Sequence, residues 1–100
     1  VTATSGSGPA YFFAFVESMV KGAMDLGLSE DVATQLTVQT IIGSAELLAS
    51  SGKSATTLRE NVTSPNGTTY AALQSFSASD LEVIVAKAMK AARDRSIELS

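Results

Sequence analysis

Apolar positions recur along this chain at the three-and-four spacing of helices, not the alternation of strands. Five segments carry the pattern: 9–26, 29–50, 54–62, 68–76 and 80–99. Turn-forming clusters separate them at 5–9, 26–29, 50–54, 64–67 and 77–79. No alternating run of Val, Ile and Thr is long enough for a strand, and no internal repeat is visible. The pattern predicts an all-α fold of about five helices.

The first segment opens at Pro9, whose missing N–H suits a first helical position. Glu17, Lys21 and Asp25 form one polar stripe at ion-pair spacing. Around it lie Tyr11, Phe12, Phe13, Phe15, Val16, Met19, Val20, Met24 and Leu26. A helix apolar on most sides is covered on most sides. Another subunit or domain is the expected cover, the alternative being a central core helix of a monomer. The second segment has Ser29 as its expected N-cap, Glu30 and Asp31 in its first turn, and Gly27 before it as a left-handed stop. From Val32 to Ala45 it is uncharged. Leu36, Val38, Ile41, Ile42, Ala45 and Leu48 supply apolar surface, while Thr34, Thr37, Thr40, Gly43 and Ser44 permit close packing. This helix too reads as an interface element.

The third segment is short, with Ser54 as cap and Leu58 and Val62 four apart. The fourth carries Tyr70, Ala71, Leu73 and Phe76. The fifth starts from Ser79 or Asp80 as cap, with Leu81, Ile84, Val85, Ala88, Ala91 and Ala92 on one face. It holds eight of the seventeen charges and is expected to be the most solvated helix.

Composition narrows the chemistry. The 100 residues include no Cys, His or Trp. That excludes a disulfide framework, a Cys/His zinc site, and Ser-His-Asp or Cys-His catalysis. Ten acidic and seven basic residues give a net charge of −3, with no basic patch for phosphates, so nucleic acid is not an expected partner. No apolar span reaches membrane length, and no basic, apolar leader opens the chain. The chain starts without Met in a loop-like segment, as expected of a domain from a longer protein. Two N-x-[ST] sequons start at Asn61 and Asn66, but without a sign of secretion no glycosylation is expected. Gly6-Ser7-Gly8 lacks the third glycine of a dinucleotide fingerprint and is read as a hinge before the first helix. Asp25, Glu30 and Asp31 cluster at one corner without a metal-ligand pattern.

Candidate chemistry concentrates in the uncharged stretch 61–79. Ser64-Pro65-Asn66-Gly67 reads as a tight turn, since Pro fixes φ and both Asn and Gly accept positive φ. A helix starting near Thr68 would present unpaired N–H groups there, ringed by the hydroxyls of Thr63, Ser64, Thr68 and Thr69. Two readings stay open at this point: a cradle for a small carboxylate, and an ordinary capped corner between helices.

Two motifs together resemble one family. SGSGPAY at 5–11, opening a Phe- and Ala-rich helix, is similar to the start of the C-terminal helical domain of pyrroline-5-carboxylate reductases. LRENVTSPNGTTYAAL at 58–73 resembles the family signature, which normally has Ser-Pro-Gly-Gly before Thr. GLSEDVA and the Leu-Leu-x-x-Ser-Gly phrase between them fit as well, so the resemblance covers essentially the whole chain.

The resemblance implies a cytoplasmic enzyme that reduces 1-pyrroline-5-carboxylate to L-proline with NADPH or NADH, the last step of proline biosynthesis. Residues 1–100 would be its C-terminal dimerisation and substrate-binding domain, following an N-terminal Rossmann domain. The helical domains would interlock into a homodimer, which in many members assembles further into a decamer. Carried over by position, Ser64, Gly67, Thr68 and Thr69 would line the substrate pocket. The Ser64 hydroxyl and the N–H groups of residues 67–69 would hold the substrate carboxylate. The Thr69 hydroxyl would face the ring nitrogen. Asn61 and Val62 would approach the substrate or the nicotinamide end of the cofactor. No residue is expected to act as acid or base, and no metal is expected. Asn66 departs from the family's usual Gly, and the turn survives if Asn66 takes positive φ. The alternatives are a purely structural oligomerisation module and the helical domain of another two-domain NAD(P)-dependent dehydrogenase.

Overall fold

A computed structural model describes all of residues 1–100. It contains five α-helices and no strand: α1 (Gly8–Asp25), α2 (Glu30–Ser50), α3 (Ala55–Asn61), α4 (Thr68–Ala78) and α5 (Leu81–Leu99). A five-residue π-helical turn, Thr2–Gly6, precedes them where the sequence pattern predicted only a hinge. Its Ser7 N–H reaches back to the Thr2 carbonyl at 2.7 Å. No helix is long and apolar enough to cross a membrane. The chain divides into two compact units, residues 8–52 and residues 1–7 with 53–100.

In the first unit α1 packs on α2 across a short loop. The loop is a Schellman stop: Leu28 N–H donates to the Ala23 carbonyl at 3.2 Å, and Gly27 N–H to the Met24 carbonyl at 2.9 Å. Gly27 holds φ +108°, which a side chain resists. Ser29 then caps α2, accepting from the Val32 N–H at 3.3 Å, with Glu30 and Asp31 in the first turn. Ala33 and Thr37, four apart on α2, are buried, and Ile41 continues their stripe half-buried. Val16, Val20 and Ala23 form the matching half-buried stripe of α1. Small side chains on α2 thus permit close helix contact, as expected for Thr37. Thr34, Gly43 and Ser44 stay open, and the Thr40 hydroxyl turns back to the Leu36 carbonyl at 2.7 Å. The stripe of Glu17, Lys21 and Asp25 makes no ion pair, contrary to its spacing; each charge is exposed to water, which competes for it.

In the second unit the π-turn and α4 both pack on α5. Met89, Ala92 and Ser96 are the half-buried positions of α5. The α5 ion pairs are Arg93 with Asp94 and Arg95 with Glu98, each at 2.9 Å and both exposed, so they contribute little. Ser54 caps α3 as expected, accepting from the Thr57 N–H at 3.1 Å. The α5 cap differs from expectation. Asp80 occupies the N-cap position in the left-handed region, φ +60°, and its carboxylate caps nothing. The tight link to α4, where Asp80 N–H donates to the Ser77 carbonyl at 3.0 Å, accompanies that backbone.

Burial is the informative quantity. Ala33 is the one buried hydrophobic residue, and Thr37 the one buried polar side chain. Phe12 and Phe13 on α1 are 63% and 67% exposed, and Phe15, Leu36, Ile42, Leu47 and Ile84 are also open. Ordering a residue costs on the order of 1–2 kcal/mol, which a core of this size does not offset. The apolar surface of this chain needs cover from outside it.

Candidate functional site

The site is built by the link from α3 to α4. α3 ends at Asn61, where Val62 N–H donates to the Arg59 carbonyl at 3.3 Å. Thr63 closes this end twice: its N–H bonds the Glu60 carbonyl at 3.1 Å and its hydroxyl the Arg59 carbonyl at 2.5 Å. The Thr63 hydroxyl therefore serves the end of α3 and does not join the ring of hydroxyls expected around the turn. Asn61 and Val62 are both exposed there.

Next comes the turn. Gly67 N–H donates to the Ser64 carbonyl at 3.0 Å, with Pro65 and Asn66 between them. Pro supplies the negative φ of the second position, and Asn66 takes φ +59°, as a type II turn requires at the third. Asn66 thus does what the family's glycine would do, and the turn closes with it. Gly67 has φ −86° and ψ −171°, an extended backbone open to any residue. Its small size matters for a different reason. A Cβ on Gly67 would meet both Cβ and the carbonyl oxygen of Ser64 at 3.3 Å. Gly67→Ala is expected to lower stability by about 1 kcal/mol through this crowding, read as a drop in Tm.

α4 then starts at Thr68 with Gly67 as its N-cap and no side-chain cap. The first intrahelical bond of this end is from Ala71 N–H to the Gly67 carbonyl at 3.1 Å. The N–H groups of residues 68–70 are left facing outward at the positive end of the helix dipole. The hydroxyls of Ser64, Thr68 and Thr69 make no hydrogen bond within the chain, and Ser64 and Thr68 are exposed while Thr69 is half-buried. One expected role changes here. Gly67 N–H is occupied by the turn, so the free N–H run starts at Thr68, and Tyr70 N–H joins it. Sequence reasoning missed this because it depends on whether Asn66 or Gly67 takes the positive φ. The structure thus brings Ser64, Gly67, Thr68 and Thr69 into one turn-and-helix corner, with Asn61 and Val62 at the preceding helix end. Such a corner offers hydroxyls and amide donors and no acid, base or nucleophile.

Two open grooves flank the π-turn against α5, of about 560 and 380 Å³, and none of residues 61–69 lines either.

With this geometry in place, comparison with known proteins decides the family. The family model described as pyrroline-5-carboxylate reductase dimerisation matches residues 1–99. The chain belongs to the pyrroline-5-carboxylate reductase dimerisation family. It is 50% identical over 100 residues to the pyrroline-5-carboxylate reductase of Pseudomonas aeruginosa, covering all of this chain and 37% of that protein. It is 41% identical to a pyrroline-5-carboxylate reductase structure from Coxiella burnetii, with a TM-score of 0.95 over 99% of this chain and 37% of that one. A Plasmodium falciparum pyrroline carboxylate reductase solved with NADP bound superposes with a TM-score of 0.91 at 37% identity, over 95% of this chain and 38% of that one. The chain therefore spans just over a third of the length of these relatives.

Proposed function

We propose that this chain is the C-terminal helical domain of a reductase converting 1-pyrroline-5-carboxylate to L-proline. In this reading it supplies the subunit interface and the substrate carboxylate pocket, and a Rossmann domain elsewhere in the protein carries the cofactor. The observation that supports it most is the corner at 64–70. Three uncapped N–H groups and three free hydroxyls sit in the segment that carries the family signature. The N–H groups at 68–70 and the Ser64 hydroxyl bind the substrate carboxylate, and the Thr69 hydroxyl orients the ring nitrogen. Asn61 and Val62 border the place of the nicotinamide. NADPH or NADH supplies the hydride when bound. The protonated imine is already activated at carbon, so binding and orientation are what the protein must add. That accounts for a site without His or Cys.

A homodimer covers the exposed faces of α1 and α2, and further assembly to a decamer is compatible with surface left open on α5. The test is the full-length enzyme with 1-pyrroline-5-carboxylate and NADPH. Consumption of the reduced nicotinamide with stoichiometric proline is expected, together with competitive inhibition by a saturated cyclic carboxylate. No turnover with either nicotinamide would defeat the reading and favour a structural oligomerisation module.

A further inference from the structure

The chain has two asparagines, both exposed, neither with a side-chain hydrogen bond and each followed by a bonded N–H; they differ in the residue that follows. Asn61 ends α3 and is followed by Val62, a β-branched residue whose N–H is bonded to Arg59. Asn66 stands exposed at the tip of the turn, makes no side-chain hydrogen bond, and is followed by Gly67. A branched side chain shields the peptide nitrogen that follows an asparagine, and a glycine leaves it open. We propose that Asn66–Gly67 is a modification site that deamidates spontaneously, and that the carboxylate formed there weakens the anion pocket.

The chemistry needs only water. The Gly67 peptide nitrogen loses its proton to solvent base and attacks Cγ of Asn66. A new N–Cγ bond closes a succinimide ring, the Cγ–Nδ2 bond breaks, and ammonia leaves with a proton from solvent. Water then opens the ring at either carbonyl carbon, leaving aspartate or isoaspartate. Nothing is oxidised or reduced.

The folded turn restrains this reaction. Gly67 N–H is held by the Ser64 carbonyl at 3.0 Å, so its nitrogen attacks only when the turn opens. A carboxylate bound on the neighbouring N–H groups holds the turn closed and slows the loss. Once formed, an acidic residue 66 stands two positions before the first free N–H of α4. It competes for the positive helix end and repels a carboxylate ligand. The isoaspartyl form also lengthens the backbone within the turn. The functional half of this proposal rests on the anion-pocket reading above, whereas the modification itself does not.

The test ages the full-length enzyme at mildly alkaline pH and follows peptide masses and kinetics. The amide-to-acid mass gain is expected at Asn66 and not at Asn61, slower with proline present. KM for the imino acid is expected to rise roughly tenfold as conversion proceeds. Asn66→Asp, which reproduces the charge without the lengthened backbone, should show a raised KM from the start. Asn66→Gly should hold its own initial KM through the same period. Absence of a mass gain at Asn66 overturns the modification site. Full conversion with unaltered KM overturns its effect on the pocket. A fresh enzyme that fails to turn over would count against the reductase reading alone, since the mass readout does not depend on it.

Discussion

Phe13→Asp is expected to abolish self-association of the full-length protein. Phe13 is two-thirds exposed on α1, beside Phe12 in the same condition, in a chain whose one buried hydrophobic is an alanine. Covering what remains open of a phenylalanine contributes about 2 kcal/mol. A two-fold interface counts each residue twice, giving about 4 kcal/mol, or roughly a thousandfold in dissociation constant. An aspartate placed in that contact adds the penalty of an unpaired buried charge. Phe13→Leu keeps most of the apolar area and is expected to preserve assembly. A sedimentation dilution series reads the outcome. Circular dichroism on the same samples should show the helices melting earlier in the Asp variant, because folding and assembly draw on the same surface. An unchanged oligomer, or a parent protein that stays folded as a monomer on dilution, would remove the interface from α1.

The open apolar surface of α1 was legible in the sequence because Phe12, Phe13 and Phe15 fall on more faces of one helix than a partner helix covers. The helix limits were legible for a local reason. Ser29 and Ser54 cap through bonds to the N–H three residues on, and Gly27 stops α1 within its own turn. Features set by backbone choices elsewhere were not legible. The residues of the Thr2–Gly6 π-turn carry no periodic signature, and the turn lies against α5, far along the chain. Asp80 looked like a side-chain cap and instead supplies a left-handed backbone. Spacing alone paired Glu17 with Lys21, but an exposed pair gains too little to fix two flexible side chains. At the site, composition announced the turn while leaving its hydrogen bonds open. The Thr63 hydroxyl has two places to go, and the end of α3 takes it. The same limit applied to Gly67, whose N–H closes the turn once Asn66 adopts the positive φ.

Thr69→Ala separates this site's chemistry from its fold. Thr69 lies in the first turn of α4, half-buried, with its hydroxyl unbonded in the chain. Alanine is the better helix former, so the fold should be unchanged or slightly more stable. The amide N–H of residue 69 survives the substitution, so carboxylate binding through the backbone persists and KM should move little. What is lost is the hydroxyl proposed to orient the ring nitrogen for hydride transfer. One such hydrogen bond is worth about 1–3 kcal/mol in the oriented complex, so kcat should fall roughly tenfold to a hundredfold. Thr69→Ser retains the hydroxyl and is expected to recover most of the rate. Steady-state kinetics on the full-length enzyme, alongside thermal unfolding, give both halves of the result. Equal kcat in the parent and Thr69→Ala would show that the hydroxyl plays no part in turnover. A rise in KM with kcat intact would move Thr69 from orienting the ring to holding the carboxylate.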